Sequence, residues 1–217
     1  MPLMDPRHFA WLCIGDTAEN KAIFRHSNVC IKGLEGVEWL ICNSFYEIES
    51  PTYDTFPNIR PIGPLVPRPD HVEKSGTGYP EGFFGRVAAY GKVVGWCPQK
   101  KVLAHPSIAC FVTHCGWNST LEGLNNGVPF ICWPYFADQF LNQTYIVDIW
   151  KVGVGLKANE DGIFSKEEIK SKVEEMLGDE GIRERILKLK EEAISSVTEG
   201  SSVENLLGFM EAMKGKS

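Results

Sequence analysis

Apolar and polar positions alternate in blocks through the second half of the chain, and these blocks predict strands and helices in turn. The short apolar runs that predict strands are residues 92–96, 108–113, 128–133 and 152–156. The segments with helical patterns between them are residues 98–104, 118–125 and 138–150. Strands that alternate with helices build βαβ units, so the pattern predicts an α/β fold with a parallel sheet flanked by helices.

The last fifty residues are predicted to be helical. Ser165 and Glu168 have the spacing of a capping box, which predicts a helix start at Ser165. A second apolar stripe follows Gly181, and Gly200 precedes a final amphipathic helix. These helices are expected to cover the sheet.

The first seventy residues have a weaker pattern. Residues 17–36 are consistent with a helix, and residues 37–43 form an apolar run that predicts a buried strand. Six prolines lie within residues 51–70. Since proline fixes φ and lacks a backbone donor, this stretch is predicted to be extended connecting chain that contains a domain boundary. Residues 81–90 predict one short helix.

Charge and composition exclude some classes of partner. The chain has 217 residues, 43% of them hydrophobic, and a formal net charge of −6. No cluster of lysine and arginine is dense enough to indicate a nucleic-acid or membrane-surface partner. A bound phosphate would therefore be held mainly by backbone N–H groups and neutral side chains.

The cysteines favour a reducing compartment, which predicts a cytoplasmic protein. There are seven, an odd number, with no CxxC pair, and Cys42, Cys110 and Cys132 lie inside apolar runs. The N-terminal residues lack the pattern of a signal peptide, and no apolar run is long enough to span a membrane.

Four residues that can bind metals, His105, Cys110, His114 and Cys115, lie within eleven positions. Zinc sites favour pairs of ligands two to four residues apart on turns. Cys110 is instead predicted to lie inside a strand and to face away from His114. The sequence therefore favours neither a metal nor another cofactor.

Three loops of residues 95–139 are predicted to follow strands, at the sheet edge where open α/β folds bind ligands. The first contains Trp96, Cys97 and Gln99. Trp96 offers a flat apolar face for a planar ring, and a buried core position explains it equally well. Its role is left open by the residues alone.

The second loop runs from His114 to Ser119. Gly116 allows a ligand to approach the backbone closely, and Asn118 and Ser119 open the next helix. The free N–H groups and positive dipole end of a helix favour an anion, and diphosphate suits an acidic chain without a basic patch. The alternative is that Asn118 or Ser119 only caps the helix.

Two carboxylates, Glu122 and Asp138, lie in or after the loops that are expected to bind the ligand. Glu122 is one turn into the second-loop helix, where it could accept hydrogen bonds from ribose hydroxyls, although a solvated helix residue is the commoner explanation. Asp138 and Gln139 end the third loop and together suit a polyhydroxylated ring. The alternative for Asp138 is a helix N-cap.

Residues 96–139 resemble the signature box of plant family-1 UDP-dependent glycosyltransferases over its full length. The motifs WCPQ, HCGWNS, GVP and the closing DQ are all present. Flanking stretches such as VEWLICNSFYEIE, PNIRPIGPL, EGFFGRV and GKVVGW are also similar to that family. The resemblance implies a GT-B architecture, in which two Rossmann-like domains face each other across a cleft, with the nucleotide sugar on the C-terminal domain.

The resemblance also implies a set of residues around the UDP-sugar. Those residues are Trp96, Cys97, Gln99, His114, Gly116, Trp117, Asn118, Ser119, Glu122, Asp138 and Gln139. Trp96 would stack on uracil, Gln99 would lie beside the base and ribose, and Glu122 would hold the ribose hydroxyls. The turn at 114–119 would hold the diphosphate.

The sugar would contact Trp117, Asp138 and Gln139, and a glutamine in the last place goes loosely with glucose. By resemblance, the reaction is direct displacement of UDP, with inversion, by a hydroxyl of a small lipophilic acceptor such as a flavonoid or another phenolic. UDP-sugar is then a donor substrate, and no cofactor is implied.

The chain departs from the family pattern in two places. The family's catalytic base is a histidine early in the N-terminal domain, and His8, His26 and His71 stand in unrelated contexts, so no catalytic residue is assigned. A strand that ends in a Gly-Ser loop is also missing between Pro64 and Gly91, which indicates a deletion.

These departures suggest a division into three parts. Residues 1–62 are expected to be a remnant of the acceptor domain, 63–90 a linker with the deletion junction, and 91–217 the UDP-sugar-binding domain. Loss of a strand predicts marginal stability and weakened UDP binding. The alternative function is a non-catalytic UDP-binding remnant, or an inactive partner of full-length relatives.

Overall fold

A computed structural model of the chain describes residues 17–34, 36–65, 79–95 and 97–215. Within these ranges the strands form two parallel sheets, flanked by helices, which confirms the predicted α/β class. The first sheet pairs β1 (Leu40–Cys42) with β2 (Ile59–Pro61). The second has the order β3-β4-β5, with β3 at Phe111–Thr113, β4 at Phe130–Cys132 and β5 at Gly153–Gly155.

Helices separate the strands and cover the second sheet. They are α1 (Thr17–Lys32), α2 (Tyr46–Thr55), α3 (Phe83–Val87), α4 (Gln99–Leu103), α5 (Trp117–Asn126), α6 (Gln139–Thr144), α7 (Lys166–Gly178), α8 (Glu180–Thr198) and α9 (Ser201–Lys214). Within the described ranges, no helix combines the length and the apolar character that a bilayer-spanning segment requires.

Several predicted elements are confirmed with adjusted ends. The hydroxyl of Ser165 accepts a hydrogen bond from the Glu168 N–H at 3.1 Å and caps α7, as the capping box predicts. Helix α5 stops at Gly127, whose φ of 69° is the left-handed conformation that glycine adopts without strain. The helix predicted for 138–150 is divided, because α6 is followed by a π-helical turn over Tyr145–Ile149.

Two sequence predictions are wrong. Residues 92–95 do not form a strand, and Val93 and Val94 are 41% and 49% exposed. A short apolar run becomes a strand only when another strand pairs with it, and no described strand lies beside this one. The proline-rich stretch at 51–70 is not simply extended either, because α2 continues through Pro51 and β2 follows it.

The two faces of the second sheet are buried differently. The register aligns Val112 with Ile131 and Val154 on one face. Ile131 is fully buried, and Val154 is 5% exposed, under Met176 of α7 and Ile182 of α8. Val112 in the same row is 48% exposed, because no described strand pairs with the outer side of β3. Among the described strands, β3 is therefore an open edge of this sheet.

The opposite face packs on a core that includes the segment around α2. Phe45 and Ile48 are 0% and 3% exposed and belong to the same cluster as Leu124 of α5 and Phe130 of β4. The Trp150 indole N–H donates to the Ile48 carbonyl at 3.0 Å. The segment that follows β1 is thus part of the hydrophobic core beneath the second sheet.

Candidate functional site

The start of α4 and the first turns of α5 come together through side chains. The Gln99 amide Nε2 donates to the Glu122 carboxylate at 2.7 Å and lies 3.4 Å from the Ser119 hydroxyl. All three side chains are half-buried. The structure therefore brings together three predicted site residues that come from two separate motifs.

The N-terminus of α5 has a glycine in the capping position. The helix begins at Trp117, after Gly116 in an extended conformation, and no side-chain capping hydrogen bond is found there among the described residues. Asn118 is exposed and Ser119 is half-buried in the first turn, so neither has the capping role considered from the sequence. The first N–H groups of the helix have no partner within the helix and face a position that suits an anion.

The second loop packs closely around Gly116. A Cβ atom at this position would lie 2.4 Å from the His114 Nε2 atom, which is closer than non-bonded atoms approach. His114 is exposed, with its ring centroid 6.4 Å from that of Tyr135 in the third loop. The second and third loops therefore lie side by side.

A hydrogen-bonded bridge joins those two loops. The Asn142 side-chain Nδ2 donates to the Cys115 carbonyl at 2.8 Å and to the Asp138 carboxylate at 2.8 Å. Asn142 is buried, whereas Asp138 is exposed and makes no capping bond to α6. Sequence reasoning missed Asn142. Its position four residues after Asp138 on a predicted helix face was the available signal.

The Gln139 side chain forms hydrogen bonds within its own loop. It is 3% exposed, and its Oε1 accepts the backbone N–H groups of Tyr135 and Phe136 at 3.0 and 3.2 Å. Tyr135 and Phe136 are themselves exposed at the surface. Gln139 thus fixes the shape of the third loop, and Asp138 is the more accessible of the two polar residues.

Two buried thiols lie beneath these loops. Cys115 and Cys132 are fully buried, and Cys115 has a left-handed φ of 65°. The hydrogen bond with Cys115, together with burial, raises the pKa of the Cys132 thiol well above its ordinary value. Across the described ranges, no group of three or more His, Cys, Asp or Glu side chains is placed to hold a metal ion.

The Trp117 indole is hydrogen-bonded to the backbone of a distant segment. Its Nε1 donates to the Asn43 carbonyl at 2.7 Å, across 74 positions of the chain. Cys97 is half-buried at the entry to α4, while Trp96 lies outside the described residues. A cavity of about 690 Å³ beside β5 is lined by other residues, among them Gln143, Lys172 and Arg185, and is separate from the loops.

Comparison with known proteins decides the family. The family model described as UDP-glucoronosyl and UDP-glucosyl transferase matches residues 75–196, which is more than half of the chain. The chain belongs to this family of UDP-glycosyltransferases. The match includes both the first loop and the 114–139 region described above.

Curated relatives of this chain come from plants. It is 35% identical to UDP-glycosyltransferase 83A1 of Arabidopsis thaliana, an alignment that covers all of this chain and 59% of that relative. It is 49% identical to flavonol 3-O-glucosyltransferase F3GT2 of Actinidia chinensis var. chinensis over 63% of this chain and 30% of that protein. The chain thus spans less than two thirds of the length of these relatives.

Solved structures show the same architecture. The crystal structure of Os79 from O. sativa in complex with UDP superimposes with a TM-score of 0.77 at 25% identity, covering 87% of this chain and 58% of that one. The chain therefore has the α/β architecture of part of a GT-B glycosyltransferase, with a parallel sheet flanked by helices.

The length of one alignment reveals an internal gap in this chain relative to a family member. The comparison with the Arabidopsis relative runs over 274 positions and covers the whole of a chain of 217 residues. The relative therefore has residues inside the aligned region that have no counterpart here. An internal deletion relative to this family member is thus supported, and its location between Pro64 and Gly91 stays a prediction.

Proposed function

We propose that this chain binds a UDP-sugar across the first turns of α5, with the diphosphate at the helix N-terminus. The observation that supports this is the uncapped start of α5, at Gly116 and Trp117, beside the linked side chains of Gln99, Ser119 and Glu122. An acidic protein without a basic patch must bind phosphate through backbone N–H groups, and this helix end offers them.

The remaining contacts follow from the chemistry of each side chain. The Glu122 carboxylate accepts hydrogen bonds only, so it suits the two ribose hydroxyls, and Gln99 holds it in place from the opposite side. His114, Gly116, Asn118 and Ser119 surround the diphosphate. Asp138 contacts the sugar hydroxyls, and Trp96 with Cys97 covers the uracil.

The proposed reaction is transfer of glucose from UDP-glucose to a hydroxyl of a small lipophilic acceptor, with UDP as the leaving group. The name of the Actinidia relative, flavonol 3-O-glucosyltransferase, supports glucose and a phenolic acceptor, and the UDP complex of Os79 supports the donor. Displacement with inversion requires the acceptor oxygen to be aligned with the anomeric carbon and to lose its proton to a base.

We also propose that this chain does not provide that base. The His26 ring contacts the Cys30 thiol at 3.6 Å, and the His105 Nδ1 accepts the Ser107 N–H at 3.2 Å. These partners are a thiol and a backbone amide rather than the carboxylate that orients a catalytic imidazole. His8 and His71 lie outside the described residues.

The second candidate function is therefore a non-catalytic UDP-binding protein, which could pair with a full-length relative. The internal gap and the half-exposed Val112 on the open edge of β3 favour it. In either case, residues 1–62, 63–90 and 91–217 are the proposed remnant, junction and donor-binding parts. The scattered free cysteines favour the cytoplasm as the location.

Two measurements on the purified chain test these proposals. Calorimetric titration with UDP should give saturable binding, and the absence of binding at millimolar UDP would refute the donor site. Incubation with UDP-glucose and a panel of phenolic acceptors should give no turnover. Turnover that survives combined replacement of His8, His26 and His71 by alanine would leave the donor site intact and overturn the claim that no base is present.

A further inference from the structure

We infer that Trp117 is a positioning residue that fixes the first turn of α5 to the backbone at Asn43, instead of contacting the sugar with its indole. This inference rests on the proposed binding of diphosphate at that helix end. It reverses the role that the motif resemblance implies for the Trp117 side chain.

The donor capacity of the indole is already used. Tryptophan has a single N–H donor, and in Trp117 it points at the Asn43 carbonyl at 2.7 Å. The half-buried ring packs against the core cluster, with its centroid 6.5 Å from that of Trp150. A sugar oxygen could take this donor only if the Asn43 carbonyl were left without it.

The accepting carbonyl lies on a firmly held piece of backbone. The Asn43 side chain donates to the Leu65 carbonyl at 2.8 Å and accepts the Leu65 N–H at 2.6 Å. The Ser44 carbonyl accepts the Gly63 N–H at 2.7 Å, and Phe45 is completely buried. The segment therefore acts as a rigid anchor for the indole.

The anchored residue is also the first residue of the anion-binding turn. The N–H groups of Trp117, Asn118 and Ser119 are those that α5 leaves without a partner within the helix. Holding the Trp117 side chain fixes the direction of these donors. Without the hydrogen bond, a smaller fraction of the molecules would hold these N–H groups in the direction that binds the anion. The apparent affinity for the anion would fall in proportion to that fraction.

Trp150 provides a matched control. Its indole donates to the Ile48 carbonyl at 3.0 Å, in the same anchored segment, but Trp150 follows the π-helical turn and lies outside the loops. Trp117→Phe and Trp150→Phe thus each remove one indole donor and keep an aromatic ring. Only the first should alter the start of α5.

The experiment compares UDP with uridine, since uridine lacks the diphosphate. Trp117→Phe should weaken UDP binding about fivefold, the effect of losing one neutral hydrogen bond, and leave uridine binding unchanged. Trp150→Phe should lower the stability to a similar extent and leave both affinities unchanged. If Trp117→Phe does not fold, Trp117→Met, which also lacks the donor, takes its place.

Amide hydrogen exchange at residues 120–123, the first amides of α5 that have hydrogen-bond partners in the helix, gives a second readout that needs no ligand. Exchange there should be faster in Trp117→Phe than in wild type, and Trp150→Phe should resemble wild type. An unchanged UDP-to-uridine ratio together with unchanged exchange in Trp117→Phe would overturn the inference. If the wild type fails to bind UDP, the proposed function is refuted, and the exchange data still decide whether Trp117 positions the turn.

Discussion

The Gln99 amide and the Glu122 carboxylate are joined by a 2.7 Å hydrogen bond between two helices that start from different loops. A carboxylate repels a diphosphate at close range, and the neutral Gln99 amide places no positive charge between them. Glu122 can remain beside such a ligand only if hydroxyl groups lie between them. Under the proposed function, the ribose hydroxyls would lie between the pair and the diphosphate.

Glu122→Ala should weaken UDP binding by about tenfold or more, because hydrogen bonds to a charged acceptor contribute about 1.5–3 kcal/mol. The measurement is calorimetric titration with UDP and with 2′,3′-dideoxy-UDP. The variant should lose little affinity for the dideoxy ligand. Glu191→Ala, at an exposed position on α8, is the control and should bind both ligands as wild type does. Equal losses for the two ligands in Glu122→Ala would contradict the ribose role.

Gly116→Ala should impair UDP binding without a comparable loss of stability. The new Cβ would lie 2.4 Å from the His114 Nε2, so the exposed imidazole or the loop backbone must move. A shift that removes one hydrogen bond to the diphosphate weakens binding about fivefold. Titration with UDP and urea unfolding measure the two effects.

Gly85→Ala is the matched control for the glycine substitution. A Cβ at Gly85 in α3 meets nothing within 4 Å, so neither binding nor stability should fall. Wild-type affinity in Gly116→Ala would show that the close approach of Gly116 to His114 does not shape the ligand site.

Two residues of one cross-sheet row should respond very differently to truncation. Ile131→Ala should cost about 2–5 kcal/mol, because Ile131 is fully buried under α7 and α8. Val112→Ala should cost less than about 1 kcal/mol, because half of the Val112 side chain is already in contact with water. Urea unfolding of both variants gives the comparison. Similar costs would mean that another segment covers the outer side of β3.

Stability should fall at alkaline pH. Burial raises the pKa of the Cys110 thiol, and the Cys115 hydrogen bond with burial raises the pKa of the Cys132 thiol, both from an ordinary value of 9.0. A thiol whose pKa is higher in the folded than in the unfolded state ionises more readily after unfolding. Its contribution to the stability is therefore complete below pH 9.0 and is lost as pH rises through the folded-state pKa. Urea unfolding between pH 7 and pH 10 should show this decline.

Cys132→Ala tests the source of the alkaline effect. It removes one of the thiols with an elevated pKa, so its stability should decline less between pH 9 and pH 10 than that of wild type. The variant is expected to be less stable at pH 7, because a buried side chain is shortened. An identical pH dependence in the two proteins would assign the decline to other groups, such as Tyr53, whose pKa burial also raises.

Local patterns in the sequence were sufficient for elements that depend on near neighbours. The Ser165 cap and the Gly127 stop involve groups within five residues, and both appear as predicted. The 92–96 strand failed because a strand needs a partner from elsewhere in the chain. The direction of the Trp117 indole depends on a carbonyl 74 positions away, which no local pattern reveals.

The site itself was predictable mainly as a set of loops. Gln99 and Glu122 were each assigned to the ligand, but their bond to one another could not be read from residues 23 positions apart. Gln139 was expected to face the sugar, whereas its amide oxygen binds backbone N–H groups of its own loop. Whether a polar side chain binds its own loop or a ligand can be decided only from its geometry, because both roles use the same types of residue.

The packing of Phe45 and Ile48 beneath the sheet sets the limits for any shortened version of this protein. The family match covers residues 75–196 and leaves out both residues, together with Ser202, whose hydroxyl is hydrogen-bonded to that of Ser196 at 2.7 Å. A fragment trimmed to the matched region would expose the bottom of its own core and leave two indole donors without acceptors. A shortened protein for expression should therefore begin before residue 40 and include α9.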